Sequence, residues 1–483
     1  MTCQYPHYHP VVKQCSVPET RFKIEKAFQS RCVDHNTKII EVRTILFIFN
    51  LSLQELVELR QRQADLLGYP NHASYVQEVK MAKNPKVVSN FLEELTPKLK
   101  DLWEKEKQVI LQYKKEEMAT MGREFDGKIN KEDFWYYITG IREKEFAVDQ
   151  EELKEYFPIE VVTSGLMDIY QRLLGLTFSK VDGVKTWHKD VELYRVDDTA
   201  TMETIGFFFM DMFPREGKYG HAAMWQIQPG SLDAEGKRRK AVAGMVCNFP
   251  KPTEDRPSLL YHRQVETFFH EFGHVMHGIA SRTNLSYFYG TNVEGDFVEA
   301  PSQMLENWVW QEESLKLMSA HYKTKEPLPK KLLDSLIASK ASFAGGINLR
   351  QMFFATYDQL LHTRAKADTV AIAKDLYRKL FDIERIEGGN IGATLGHLVG
   401  YDAGYYGYMW SEVFSEDMFQ TRFEKEGILN PATGRDYRDM ILRPGDIILS
   451  MCSGKPRYYP GASLDGGQML KNFIGREPNQ VGS

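Results

Sequence analysis

Cysteine is scarce in this 483-residue chain, and what there is forms no motif. Cys3, Cys15, Cys32, Cys247 and Cys452 are odd in number, lie far apart and include no CxxC pair. That pattern argues against a disulfide framework and for a reducing compartment. Long hydrophobic runs are missing too. The most apolar stretch, "ILFIFNLSL" at 45–53, falls well short of the roughly 20 residues a membrane-spanning helix needs. The N-terminus, "MTCQYPHYHPVVKQ", has no apolar core of a secretory signal, so the sequons at Asn50 and Asn284 are expected to be idle. Charge of either sign is not in excess: the formal net charge is −5 and the pI is near 6.3. The bulk balance therefore gives no sign of a nucleic-acid or anionic-membrane partner. Tandem repeats and low-complexity tails are absent as well. These absences predict a soluble, cytoplasmic monomer.

What is present suits a large globular protein. Hydrophobic residues make up 42% of the chain, enough for a sizeable core, and the length suggests two or more lobes. From about Leu53 to Glu145, stretches such as "ELVELRQRQADLLGY" and "NFLEELTPKLKDLWEKEKQVILQYKKEEMA" place apolar residues every three or four positions, which predicts helices with solvated charged faces. After about Thr177 the pattern changes. "ELYRVDD", "TIGFFFMDMF" and "KAVAGMVCNF" are β-branched or aromatic runs between turn residues and predict a small sheet. Within it, "QPGSLDAEGKRRK" reads as a hairpin-like connection. Its basic cluster fits an exposed turn better than an anion-binding patch. Helices return from Val265, interrupted by "IEGGNIGATLGHLVGYDAGYYGY". The expected class is mainly α with a small β insert, divided at about residue 160.

One short stretch carries the chemistry. "FFHEFGHVMH" at 268–277 contains His270-Glu271-Phe272-Gly273-His274, an HExxH pattern. On a helix, residues four apart differ by about 40° in azimuth and one turn in height, so both imidazoles can reach one ion. Glu271 is rotated by about 100° from His270, which leaves its carboxylate beside the ion, where a base must sit to take a proton from an activated water. Chance yields the bare motif in roughly 2–3% of chains of this composition, so its setting must add weight. Val265, Phe268, Phe269, Phe272, Val275 and Met276 would bury this helix on most sides, and buried histidines need partners. Gly273 costs about 1 kcal/mol of helix propensity relative to Ala, which predicts a close approach by a neighbouring element. Together these features predict one bound Zn²⁺.

A catalytic zinc ion takes three protein ligands and keeps one position open. His277 lies on nearly the same face, but seven residues from His270 it is about 10 Å along the helix, too far for one ion to use both ends comfortably. The downstream segment "GTNVEGDFVEAPSQMLENWVWQEESL" offers Asp296, Glu299 and Glu306. Asp296 reads as an N-cap. Glu299 would project from the start of a second helix, and spacing alone does not rank it above Glu306. Glu306, two turns along on the same face, could instead hold a ligand imidazole from behind.

"HEFGHVMH" followed by "GTNVEGDFVEAPSQMLENWVW" resembles the thimet oligopeptidase and neurolysin family of zinc metallopeptidases. The similarity extends through "YPHYHPVVKQCSVPETR", "PREGKYGHAA", "YYGYMWSEVFSEDMF" and "REPNQ". The resemblance implies a mainly α, zincin-like metallopeptidase, with two helical lobes flanking a deep channel that admits short peptides and a small β-sheet near the active site. It implies residues 1–160 as a remnant of the channel-wall lobe and 161–483 as the catalytic region. It implies His270, His274 and Glu299 as zinc ligands and Glu271 as general base. It further implies Tyr408, then Tyr401 and His397, as donors to the oxyanion, with Tyr405 contacting substrate. The strand at 241–249 resembles the one flanking the family's cleft, so Gly244 and Met245 are expected on an edge that binds peptide by main-chain pairing. The expected activity is hydrolysis of internal bonds of short peptides, and a mitochondrial form is expected for full-length relatives.

The chain also departs from the family pattern. Its match is expected to begin inside the family's N-terminal helical region, as in a truncated form. "EVRTILFIFNLSL" (41–53) and "DIILSMCSGKPRYYP" (446–460) interrupt otherwise continuous matches. Only Gly400 precedes Tyr401 where the family has two glycines, and one missing residue moves a side chain by about 3.8 Å. These departures define an alternative expectation: a catalytically impaired isoform that binds zinc and peptide without efficient turnover.

Overall fold

Asn84 accepts hydrogen bonds from the backbone N–H groups of Lys86 and Val87, and Pro85 follows it at the first helical position. This pairing of a side-chain cap with a pre-set φ starts a 36-residue helix, Pro85–Thr120. The computed structural model describes residues 5–31, 53–146, 149–444 and 464–479. The two interrupting segments at 41–53 (apart from Leu53) and 446–460 lie outside the described residues, as do Cys3, Cys32, Cys452 and the Asn50 sequon. In chain order the principal helices before the sheet are α1 (Tyr5–Gln14), α2 (Pro18–Gln29), α3 (Leu53–Leu66), α4 (His72–Gln77), α5 (Pro85–Thr120), α6 (Phe134–Phe146) and α7 (Ile159–Leu174). The strands are β1 (Leu176–Lys180), β2 (Val191–Asp198), β3 (Thr204–Asp211), β4 (Ala223–Gln228) and β5 (Ala241–Val246). Beyond them come α8 (His262–Ala280), α9 (Ala300–Glu306), α10 (Ala344–His362), α11 (Thr369–Phe381), α12 (Pro431–Tyr437) and α13 (Gly466–Ile474). The mainly α class with one small sheet is therefore the observed one.

The chain divides into two units, and each is built from separate stretches of sequence. The first comprises residues 1–147 and 338–409; the second comprises 148–337 and 410–483. This differs from the single division expected near residue 160, and the reason is a helix–helix contact. Gly345 and Gly346 open α10 against α5, where a Cβ on Gly345 would stand 2.7 Å from the Leu102 Cβ. The Glu106 carboxylate accepts from the backbone N–H of Gly345 at 2.9 Å and of Gly346 at 2.7 Å. A carboxylate from α5 thus caps the N-terminus of α10. Trp103, fully buried, donates its indole N–H to the Phe381 carbonyl at the end of α11. Residues 338–409 consequently pack with the N-terminal helices.

In the second unit, α7 ends at Gly175, whose left-handed φ of +62° stops the helix, and β1 begins at once. The strand order is β1-β2-β3-β5-β4, with β3 and β5 parallel and the other pairs antiparallel. Helix α8 lies on this sheet. Phe272 meets Phe178 and Phe208 edge to face at ring-centroid distances of 5.7 and 5.2 Å. A Cβ at Gly206 would come within 3.0 Å of Ile279 Cδ1, so β3 and α8 touch where a side chain would separate them. Among the described residues no helix is long and apolar enough to cross a membrane.

The sheet corrects one expectation. β5 is an inner strand, held by β3 on one side and β4 on the other. Its Gly244 and Met245 are buried, and its main-chain groups are committed to its two neighbours. The hairpin-like connection at 228–240 folds β4 back onto the edge that would otherwise be open. β4 is therefore the edge strand, and Gly244 and Met245 do not offer a free edge to a peptide.

Candidate metal centre

Helix α8 starts with a reciprocal cap, in which the Gln264 side chain accepts from the Tyr261 backbone N–H at 2.9 Å. Val265, Phe268, Phe269, Phe272, Val275 and Met276 are all fully buried, so the apolar stripe fixes the rotation of the helix. His270 and His274 are left on its remaining face, with ring centroids 4.9 Å apart and rings nearly perpendicular.

Gly273 brings the next helix to that face. A Cβ there would stand 2.9 Å from the Ser302 Cα of α9, the close approach expected from the glycine. Glu299 immediately precedes α9, and its Oε2 lies 3.1 Å from His274 Nε2 and 3.3 Å from His270 Nε2. Ligand atoms of His270, His274 and Glu299 all fall within 4.8 Å of one another. Ser302 Oγ donates to Glu299 Oε2 at 3.1 Å and to the Glu299 carbonyl at 3.0 Å, which locks the carboxylate orientation. Glu306, one helix length on, sits 2.6 Å from His270 Nδ1. With the Nδ1 proton directed at Glu306, His270 would turn Nε2 toward an ion held in the cluster.

Asp296 does not cap α9. It is buried in the turn ahead of Glu299, and its carbonyl accepts from Ser411 Oγ at 2.8 Å. His277 is 2% exposed and stands apart from the three-residue cluster.

The electrostatics suit a cation. Burial raises the pKa of Glu271 against the opposing charges of His270 and His274. Burial opposes the charge of Glu299, but His274 and His270 outweigh it and hold the carboxyl well below its usual range. Burial likewise disfavours a charged His270, yet its hydrogen bonds to Glu299 and Glu306 raise it well above its usual value. Two imidazole nitrogens and one carboxylate oxygen are the donor set of a catalytic zinc site with an open fourth position. Among the described residues His274 Nδ1 is buried without a hydrogen-bond partner, so the His274 ring is oriented through Nε2, toward the cluster. The residues present fit a zinc ion.

Glu271 stays outside the cluster, 8% exposed, with the Met224 backbone of β4 beside its carboxyl. The edge strand therefore reaches the candidate base. β4 went unrecognised in the sequence, although "AMWQIQ" carries a signal: Trp225 and Ile227, both half-exposed, alternate with Gln226 and Gln228, the period-2 pattern of a strand with an open face.

The residues of the glycine-rich stretch gather in the first unit. His397 Nε2 lies 3.3 Å from the Tyr408 hydroxyl, and the Tyr401 and Tyr408 rings stack at 5.5 Å. Tyr405, 5.1 Å from the His397 ring, bonds Gln351 and is buried, which pushes its hydroxyl up to about 12. A polar frame holds this cluster. Arg60 donates to the carbonyls of Leu398 and Val399 at 2.7 and 3.0 Å. Asp358 accepts from the backbone N–H groups of Ala403 and Tyr405 at 2.9 and 3.0 Å. Ala403, held with a left-handed φ of +51°, also has its carbonyl bonded by Gln77 and Gln359.

Comparison with known proteins agrees on one family. Residues 11–447 match the family model described as Peptidase family M3. A thimet-like oligopeptidase of Dictyostelium discoideum is 36% identical over 492 residues, covering 100% of this chain and 68% of the relative. Saccharolysin of Saccharomyces cerevisiae is also 36% identical, with 99% and 65% covered. Oligopeptidase A of Escherichia coli is 32% identical, with 99% and 67% covered. The chain thus spans about two thirds of the length of these relatives. Among solved structures, PZ peptidase A with an inhibitor superposes with a TM-score of 0.57 at 12% identity, covering 98% of this chain and 67% of that one, a likeness of fold.

Proposed function

The chain belongs to peptidase family M3, and from that premise we propose that it is a zinc-dependent metalloendopeptidase hydrolysing internal bonds of short peptides. One observation carries the proposal: donor atoms of His270, His274 and Glu299 lie within 4.8 Å of one another, with Glu271 beside them. These three residues would hold one Zn²⁺, which supplies Lewis acidity that polarises a carbonyl and acidifies water.

The chain's own groups do the remaining work. Glu271, its pKa raised by burial, accepts the proton of the attacking water and returns it to the leaving amine. Glu306 holds the His270 ring by Nδ1. The edge strand β4, in place of β5, is the segment proposed to hold an extended peptide by main-chain pairing, because among the described residues no strand pairs with its outer edge and its Met224 backbone lies beside Glu271. Tyr408 is proposed as the donor to the carbonyl oxygen as charge develops, with Tyr401 and His397 supporting it and Tyr405 contacting substrate. The setting proposed is a cytoplasmic monomer, in line with five scattered cysteines that include no CxxC pair.

The test is cleavage of a quenched-fluorescent peptide by purified protein, with metal content measured on the same sample. Glu271→Gln is expected to retain the metal and lose about 10²–10⁴-fold in turnover, the usual contribution of a general base. Full turnover by the variant would remove Glu271 from that role. Metal without turnover in the parent protein would favour the impaired isoform.

A further inference from the structure

The basic cluster of "QPGSLDAEGKRRK" turns out to be two things. Lys237 sits on an exposed turn closed by its backbone N–H to Asp233 Oδ1 at 2.8 Å. Arg238, Arg239 and Lys240, the residues leading into β5, line an open cleft of about 40 Å³. Its other walls come from segments far away in sequence. Asp198 and Glu203 flank the turn between β2 and β3; Ile279 and Ala280 end α8 and Ser281 and Arg282 follow it; Arg438 and Arg443 follow α12. All of these belong to the second unit, and none is a member of the metal cluster.

The charge of the walls is lopsided. Among the described residues, six cationic side chains line the cleft and only two carboxylates do. Glu203 is shared between Lys240 at 2.7 Å and Arg282 at 3.8 Å, and Asp198 pairs with Arg438 at 3.0 Å. Asp439, beside Arg438 and Arg443, adds one more negative charge at the rim, and among the described residues cations remain in excess. Several of the cations are held in place. Arg238 donates to the Thr283 carbonyl at 2.8 Å and to Asn284 Oδ1 at 3.0 Å, and Arg438 to the Leu174 carbonyl at 2.7 Å. Arg239 differs: it is exposed, and its guanidinium has no hydrogen bond or ion pair among the described residues. Gly230 keeps the cleft open beside Tyr289, whose ring would lie 2.6 Å from any Cβ at that position.

Like charges gathered in a concave, partly desolvated wall raise the local potential and draw in a counter-ion of the opposite sign. Arginine forks match the oxygens of phosphate groups in a bidentate manner. We propose that this cleft binds a small multiply charged phosphate anion, either a free oligophosphate or the phosphate chain of a nucleotide, with Arg239 closing on it from the mouth.

Calorimetric titration of the full chain tests this, with inorganic phosphate, tripolyphosphate and adenosine triphosphate compared at matched ionic strength. Tripolyphosphate is expected to bind at least tenfold more tightly than inorganic phosphate. Arg239→Glu should weaken that binding at least tenfold while leaving the melting temperature unchanged, because the side chain is exposed. Lys237→Glu makes the same change of charge outside the cleft and should leave binding within twofold of the parent. Equal affinity for tripolyphosphate and the nucleotide would assign recognition to the phosphate groups; a nucleotide bound tenfold more tightly would add the nucleoside to the ligand. The proposal is overturned if tripolyphosphate binds no better than inorganic phosphate, if Arg239→Glu leaves its affinity intact, or if the two substitutions weaken it equally.

Discussion

At the scale of single residues, Gly273 and His277 show how one helix can be shaped around a site. Gly273→Ala ought to gain about 1 kcal/mol of helix propensity, yet its methyl carbon would stand 2.9 Å from backbone, the Ser302 Cα. Backbone cannot swing aside, so α8 and α9 must separate. The overpacking cost of about 1–3 kcal/mol should exceed the gain. Glu299 lies three residues before Ser302, so the same shift should lower metal content as well as the urea midpoint. His277 makes a second prediction. Burial pushes its pKa down to about 3, while the unfolded chain takes up a proton near 6.5. The folded state therefore binds fewer protons between those values, and stability falls as pH drops below about 6.5, by about 1.4 kcal/mol per unit. His277→Gln should remove that part of the acid sensitivity. Urea unfolding at pH 7 and pH 5 should show the variant losing about 2 kcal/mol less than the parent; equal losses would contradict the buried neutral ring.

At the scale of elements, legibility followed the apolar pattern. The HExxH helix and the helices of 53–145 declared themselves because each buries one continuous stripe. The second carboxylate did not: spacing alone left Glu299 and Glu306 equal, since which one meets an imidazole depends on how closely α9 approaches α8. β5 was legible as a strand but not as an inner one, because an apolar run gives burial and says nothing of which neighbour lies on which side. β4 was missed because Trp225 and Ile227 are half-exposed and its run is short. The frame beneath the glycine-rich stretch was equally hidden, since Arg60, Gln77 and Asp358 come from α3, α4 and α10. That frame supports a prediction. Asp358→Ala would leave the buried N–H groups of Ala403 and Tyr405 without their acceptor, at about 1–3 kcal/mol for each group. If Tyr408 and its neighbours act on substrate, peptide turnover should fall at least tenfold with metal content unchanged. Loss of metal alongside turnover would instead indicate general unfolding.

At the scale of the whole molecule, the chain passes between its two units three times, near residues 147, 337 and 409. A division read along the sequence could not find this, because the assignment of 338–409 rests on Glu106 capping a helix more than two hundred residues later. The arrangement also places all three proposed ligands in the second unit and the tyrosine cluster in the first. Metal binding should therefore stabilise the two units unequally. A ligand present at a hundred times its Kd stabilises the state it binds by about 2.7 kcal/mol, which for a unit of this size corresponds to about 5–10 °C in Tm. Chelation should lower the melting temperature by that amount. Hydrogen exchange should then rise first in α8 and α9, whose facing helices the ion would cross-link, while α5 and α10, joined through Glu106 and the two glycines, keep their protection. Restoring zinc should reverse both changes. Uniform deprotection of α5 and α8 on chelation would mean that the ion's stabilisation is not local to the cluster of His270, His274 and Glu299.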